Sequence, residues 1–241
     1  VYREKYDLVV EDINKIPFYA PLWAGLPVLA VVPHLFGRTI FEEIPYPLAL
    51  YIYLWEPPIP WVYRNSPFLV ISESTREDLV RRGIKSEKIE VIPCGLDSTV
   101  YHRSGEKARY PLVCYLGRLK RYKRVDLLLQ AMSIVLRKMP EARLTIMGDG
   151  DARQDLLRLS KRLDIGDKVE FRGAVSEDEK VRTLQKSHLL VNTSPKEGWG
   201  LTGVEAMGCG TPVVASDSPG LRDSVVNGVT GFLVRHGDVQ M

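Results

Sequence analysis

Two glutamates, Glu197 and Glu205, stand eight positions apart around a glycine-rich turn in the stretch SPKEGWGLTGVEAMGCGTPVVAS. The turn leads from the apolar run HLLVN into a short helical stretch, TGVEAMG. Free backbone amides at the start of such a helix, here at Gly200, Leu201 and Thr202, meet the positive end of its dipole and form a ready anion site. Gly198 and Trp199 line the approach to it. Glu205 falls about one turn inside the helix and can point back toward whatever carries the anion. Glu197, on the loop before the helix, can reach the far side of the same ligand. A phosphate held by backbone and flanked by two carboxylates suggests a phosphorylated sugar whose hydroxyls donate to the carboxylates.

A second cluster lies in GRLKRYKRVDLLLQAM, where five of the seven positions from 118 to 124 are Lys or Arg. Cations at the start of a predicted helix oppose its dipole unless an anion sits between them. Such a conflict between local rule and sequence points to function. Arg118 suits forked contacts to phosphate oxygens, and Lys123 supplies a compact point charge. For Lys120, Arg121 and Arg124 a solvated basic patch is an adequate reading. His34, in PVLAVVPHLFG, falls just past the carboxyl end of a strand, where open α/β sheets place their ligands. A neutral imidazole there could bond a sugar hydroxyl or help polarise the reacting centre; the plain alternative is a loop histidine without a ligand.

The elements that must hold these groups alternate in type. DLVVE, PVLAVV, FLVIS and KIEVIP are near-continuous apolar runs, as strands buried on both faces should be. Between the last two, Ser74-Thr75-Arg76-Glu77 opens a predicted helix that stops at Gly83. From Pro111 onward the strands LVCYLG, ARLTIMG, KVEFRG, HLLVN, PVVAS and TGFLV alternate with helical stretches near 125–138, 152–164, 177–186, 201–208 and 220–226. That alternation predicts a parallel sheet covered on both faces. The polar, turn-rich stretch 98–111 reads as a linker.

Composition narrows the class. The chain has 241 residues, 45% hydrophobic and 26% charged, enough for one large or two modest domains with real cores. A net charge of +3 is too small to suggest a nucleic-acid partner. Cys94, Cys114 and Cys209 are odd in number and lack metal-ligand spacing, so they read as reduced thiols and place the chain in the cytoplasm. The apolar run Ile44 to Trp55 is too short to span a bilayer. With Phe36, Phe41, Trp61 and Tyr63 it could touch the inner face of a membrane, although such a run is more often a helix buried against a sheet. MGDGD (147–151) lacks the third glycine of a dinucleotide fingerprint, since residue 153 is Arg, and this speaks against a nicotinamide-dependent dehydrogenase.

The Glu197–Glu205 stretch resembles the E-x7-E segment of the retaining group 1 glycosyltransferases (glycosyltransferase family 4, GT-B fold), roughly S-x-x-E-G-F-G-L-x-x-x-E-A-M-A-x-G-x-P-V-V-A-S. Trp199 stands for the usual Phe and Gly208 for the usual Ala. Gly117, Arg118 and Lys123 match that family's G-R-x-x-x-x-K pattern, with Arg124 where it usually has Gly. PVLAVVPHLFG resembles the place where a histidine faces the donor sugar. RGAVSEDE resembles the base-contacting loop, with backbone around Ala174 and Val175 near the base. STREDLVRRG followed by KIEVIPCGLD resembles the end of the family's N-terminal domain.

The resemblance implies an α/β, GT-B-like fold of two Rossmann-like domains with parallel sheets: a partial acceptor-side domain over 1–97, the linker 98–111, and a nucleotide-sugar domain over 112–241 lacking its last helices. It implies retaining transfer of a sugar from a nucleotide-diphosphate sugar to a glycan or lipid-linked acceptor, with no cofactor and no metal. Arg118, Lys123 and the amides of Gly200, Leu201 and Thr202 would hold the diphosphate. Glu205 would bind the ribose hydroxyls, while Glu197 and His34 would face the donor sugar. The alternative is a nucleotide-sugar-binding module whose acceptor site comes from a missing segment or a partner chain.

Overall fold

The computed structural model describes residues 5–240, which divide into two compact units, one ending at Cys94 and the other starting at Gly95. In the first unit, β1 (Val9–Asp12), β2 (Val28–Val32), β3 (Phe68–Val70) and β4 (Ile89–Val91) form a parallel sheet in that order. β2 buries Val28, Ala30 and Val32 and half-covers Leu29 and Val31, so it reads as one apolar run. Ile13, Tyr63, Phe68, Val70 and Leu79 pack into the same core, each such side chain contributing about 1.5–3 kcal/mol on burial. Around this sheet lie α1 (Ile40–Glu43), α2 (Tyr46–Trp55), α3 (Ile59–Val62) and α4 (Glu73–Arg81).

Two expectations change here. The cap of α4 is Ser72, not Ser74 or Thr75: Ser72 is extended (φ −148°, ψ 152°) and its Oγ accepts from Thr75 N at 3.2 Å. Thr75 is already helical and buried, and its hydroxyl donates to Pro33 O at 3.1 Å. The apolar run at 44–55 is indeed helical but is not enclosed. α2 buries Ala49 and Ile52, whereas Tyr46, Leu48, Tyr51 and Leu54 are exposed. Apolar residues occupy all sides of this helix, and the unit covers only one. No helix of the described residues is long and apolar enough to cross a membrane.

The second unit holds β5 (Leu112–Leu116), β6 (Arg143–Met147), β7 (Val169–Gly173), β8 (Leu189–Asn192), β9 (Val213–Ser216) and β10 (Gly231–Val234). They form a six-stranded parallel sheet in the order β10-β9-β8-β5-β6-β7. Its helices are α5 (Val125–Lys138), α6 (Arg153–Arg162), α7 (Glu177–Lys186), α8 (Leu201–Gly208) and α9 (Leu221–Ser224). α5 buries Val125, Leu128, Leu129 and Met132, the i, i+3, i+4, i+7 stripe of a helix on a sheet. The chain lays down β5, β6 and β7 outward, then returns to place β8 on the other side of β5, pairing Val113 with Leu189 and Cys114 with Leu190. The strand order therefore reverses between β5 and β8, and open α/β sheets bind ligands beyond the carboxyl ends of the strands at such a point.

Residues 98–111, read as a linker, pack as part of this second unit. Lys107 Nζ donates to Ser187 O and Thr211 Oγ1, both at 2.7 Å, and Ala108 N donates to Lys186 O at 3.0 Å. The polar groups that suggested a linker find partners on the unit's own surface. Cys114 and Cys209 are buried free thiols, with burial pushing Cys114 up to about 12, and Cys94 is half-buried.

Candidate functional site

Because β5 and β8 are neighbours, the turns that follow them emerge side by side. One carries Gly117, Arg118 and Lys123; the other carries Glu197, Gly198, Trp199 and Gly200 and leads into α8. Two bonds join them. Lys123 Nζ donates to Glu197 Oε1 at 2.5 Å, and Thr193 Oγ1 donates to Lys123 O at 2.8 Å. The Lys123 and Glu197 side chains are 13% and 21% exposed, so their attraction is screened less than that of a surface pair. An ammonium has three donors, which lets Lys123 keep Glu197 and still serve a phosphate oxygen.

The five cations are not equivalent. Lys120 pairs with Asp151 at 2.9 Å, Arg121 with Asp155 at 3.2 Å, and Arg124 with Asp126 at 3.0 Å. These are the three that a solvated patch accounted for, and each has an acidic partner. Arg118 has none among the described residues. It is exposed, and its Nη2 donates to Tyr122 Oη at 3.0 Å. Arg124 caps α5 at φ 53°, a left-handed conformation that favours glycine.

On the facing turn, Gly200 precedes α8 at φ 77°, where an added Cβ would stand 2.7 Å from Leu221 Cδ2. Gly203 N and Val204 N both return to Gly200 O, so the helix itself leaves the amides of Leu201 and Thr202 unused. The Glu197 loop is fixed from behind. Glu197 N donates to Pro219 O at 3.1 Å, and a Cβ on Gly220 would lie 2.2 Å from Glu197 O. Trp199 Nε1 is buried without a partner among the described residues.

Glu205, on the second turn of α8, is held by residues that the sequence reading missed. Its Oε1 lies 3.1 Å from Lys180 Nζ on α7 and 3.0 Å from Tyr101 Oη. Its Oε2 is buried and has no partner among the described residues. Lys180 Nζ also donates to Tyr101 Oη at 2.5 Å and lies 3.0 Å from Glu177 Oε1, which in turn accepts from Tyr101. Burial alone would lower the Lys180 pKa, but the contacts with Tyr101, Glu177 and Glu205 raise it overall, so the ammonium stays charged. Burial, and then the bond to Glu177, push the Tyr101 hydroxyl up to about 12. The one local signal was a lysine in the first turn of α7, where a cation opposes the helix dipole. Tyr101 had no signal at all, lying 104 positions from Glu205 in a segment read as a linker.

The remaining candidates divide. The MGDGD turn braces the cation turn: Leu119 N donates to Asp149 O and Ala152 N to Leu119 O, both at 2.9 Å. A Cβ on Gly148 would come within 2.0 Å of Gly117 O, so this contact between the two turns needs glycine. Val175 is half-buried between β7 and α7 and packs its side chain against the core of the second unit. His34 belongs to the first unit, two residues past β2, with its ring centroid 4.5 Å from that of Phe36. Buried Glu56, paired with Arg82 at 3.1 Å, fixes that loop by accepting from Phe36 N at 2.7 Å and Gly37 N at 3.0 Å.

Known proteins resemble this chain in sequence and in fold. A D-inositol 3-phosphate glycosyltransferase of Rhodococcus jostii is 34% identical over 192 residues, a match covering 72% of this chain and 42% of the relative. The enzyme of that name from Mycolicibacterium smegmatis is 35% identical over 166 residues, covering 63% and 37%. The chain thus spans less than half the length of either relative. Among solved structures, Anabaena HepE in complex with UDP-glucose superposes with a TM-score of 0.75 at 21% identity, covering 98% of this chain and 66% of that one. Sucrose-phosphate synthase from Thermosynechococcus elongatus gives 0.77 at 24% identity, covering 99% and 63%. These likenesses show an α/β, GT-B-like fold. Residues 98–241, which include every second-unit side chain named above, match the family model for glycosyl transferases group 1, and the chain belongs to that family.

Proposed function

We propose that the crevice between β5 and β8 binds the donor of a retaining glycosyltransferase of family 4, a nucleotide-diphosphate sugar, for transfer to a glycan or lipid-linked acceptor. The observation that carries this reading is the Lys123–Glu197 bond, which joins a cation turn and a carboxylate turn at the point where the strand order reverses. Arg118, Lys123 and the amides of Gly200, Leu201 and Thr202 hold the diphosphate and stabilise the charge that develops on it as it leaves. They do so without a metal or any other cofactor. Gly117 lets the backbone approach the phosphates, and Gly198 and Trp199 close the side of the donor sugar. Glu197 accepts from the sugar hydroxyls and steadies positive charge at the anomeric carbon. Glu205 accepts from the ribose diol, and the backbone at Val175 borders the base. The complex of a structural neighbour with UDP-glucose is in keeping with this donor class.

Glu205→Ala tests the assignment. It should weaken nucleoside diphosphate binding by roughly 1.5–3 kcal/mol, the range for hydrogen bonds to a charged group. Unchanged affinity removes Glu205 from the site. Incubation with a donor and a sugar or lipid acceptor, read by NMR at the anomeric proton, tests turnover and retention together; an inverted product contradicts the mechanism. The outward apolar side chains of α2, and the exposed Trp61 of α3, support contact with a membrane surface, which vesicle flotation checks.

A further inference from the structure

We propose that Lys180 is a positioning residue for Glu205, orienting its carboxylate so that one oxygen stays with the protein and the other serves the ligand. This rests on the donor-site reading above and adds to it the device that presents a carboxylate oxygen to the ribose hydroxyls. The two Glu205 oxygens have unlike surroundings. Oε1 has Lys180 Nζ at 3.1 Å and Tyr101 Oη at 3.0 Å, whereas Oε2 is buried with no partner among the described residues. A buried carboxylate oxygen without a donor is costly, and a ligand hydroxyl offsets that cost by donating to it. The terminal torsion of a glutamate is soft, so a small rotation brings Oε2 to a hydroxyl while Lys180 retains Oε1.

Lys180 is itself held in place. Its ammonium contacts Tyr101 Oη and Glu177 Oε1 as well as Glu205, and lies 4.9 Å from the centre of the Tyr101 ring. Its side chain is 15% exposed, and that of Glu205 is 17% exposed. Removing the ammonium leaves Glu205 with Tyr101 alone, a neutral donor whose single proton Glu177 also attracts. The carboxylate then loses both its counter-charge and its fixed orientation. Lys180 is expected to touch no part of the ligand, so its effect should appear only in interactions made through Glu205.

The test compares UDP with its analogue lacking both ribose hydroxyls, by calorimetry on the unaltered chain, Lys180→Met, Lys180→Arg and Tyr101→Phe. Circular dichroism and thermal melting accompany each variant. The unaltered chain should prefer UDP by about tenfold or more, Lys180→Met should abolish most of that preference, and Lys180→Arg should restore it in large part. Tyr101→Phe should fall between, because it keeps the ring and the lysine. Affinity for the analogue should stay nearly constant across the set. A folded Lys180→Met chain with the full preference overturns the inference while leaving the donor site standing. A preference that survives in Tyr101→Phe and Lys180→Arg but falls together with affinity for the analogue in Lys180→Met assigns Lys180 a merely structural role and also overturns it. Failure of the unaltered chain to bind UDP, GDP or ADP overturns the donor-site reading and this inference with it.

Discussion

At φ 53°, Arg124 occupies backbone space that costs a residue with a side chain about 1–2 kcal/mol. The resembling family usually has glycine there, and the left-handed turn is a physical reason for it. Arg124 offsets part of the cost by directing Nε and Nη2 to the Asp126 carboxylate, each at 3.0 Å. Arg124→Gly should therefore change stability by less than about 1 kcal/mol, since it relieves strain and loses a half-exposed pair. Arg124→Val should lose about 1–2 kcal/mol, because a β-branched residue tolerates that conformation least. Urea unfolding of both variants checks this; equal losses would mean the ion pair, not the backbone, decides the position. Arg118 presents the opposite case. An exposed guanidinium without an acidic partner among the described residues adds little to stability, so Arg118→Ala should move the melting transition hardly at all.

Among the elements, the turns do the positioning. The Glu197 loop lies against Gly220 so closely that no side chain fits, and Gly220 also holds φ 81°. Gly220→Ala should cost about 1–3 kcal/mol of stability and reduce nucleotide affinity as well, because the displaced loop carries Glu197 away from Lys123. A melting scan with calorimetry would show both losses; full affinity in the variant would mean that the loop has no part in binding. At α4, Ser72→Ala should cost about 1 kcal/mol, which thermal melting can check; an unchanged melting temperature would mean that Ser72 does not cap the helix. The positions of α5 and α8 were legible because an apolar stripe and a glycine turn are local patterns. The α4 boundary was misplaced because three neighbouring residues can cap a helix and only backbone geometry chooses among them. Tyr101 and Lys180 were not legible. They reach Glu205 across separations of 104 and 25 residues, and nothing in a polar turn-rich stretch or a charged helix start states where its side chains will meet.

Taken whole, the second unit is a parallel sheet whose strand order could not be read from the alternation of elements. Alternation predicts parallel strands with helical crossovers, but the same string is compatible with several orders. The order matters because it puts β5 beside β8, and thereby the cation turn beside the carboxylate turn. Ligand binding there should slow amide exchange chiefly at residues 117–124 and 197–205. At a ligand concentration of ~100 times Kd it should stabilise this unit by about 2.7 kcal/mol. Protection confined to other segments would place the ligand elsewhere.

The most direct measurement is calorimetry of the chain against UDP, GDP, ADP and NAD, with Arg118→Ala in parallel. On the donor-site reading, at least one nucleoside diphosphate should bind, NAD should not, and Arg118→Ala should lose roughly 1.5–3 kcal/mol of that affinity while keeping its melting temperature. Absence of binding by every diphosphate, or equal affinity in a folded Arg118→Ala chain, would contradict it.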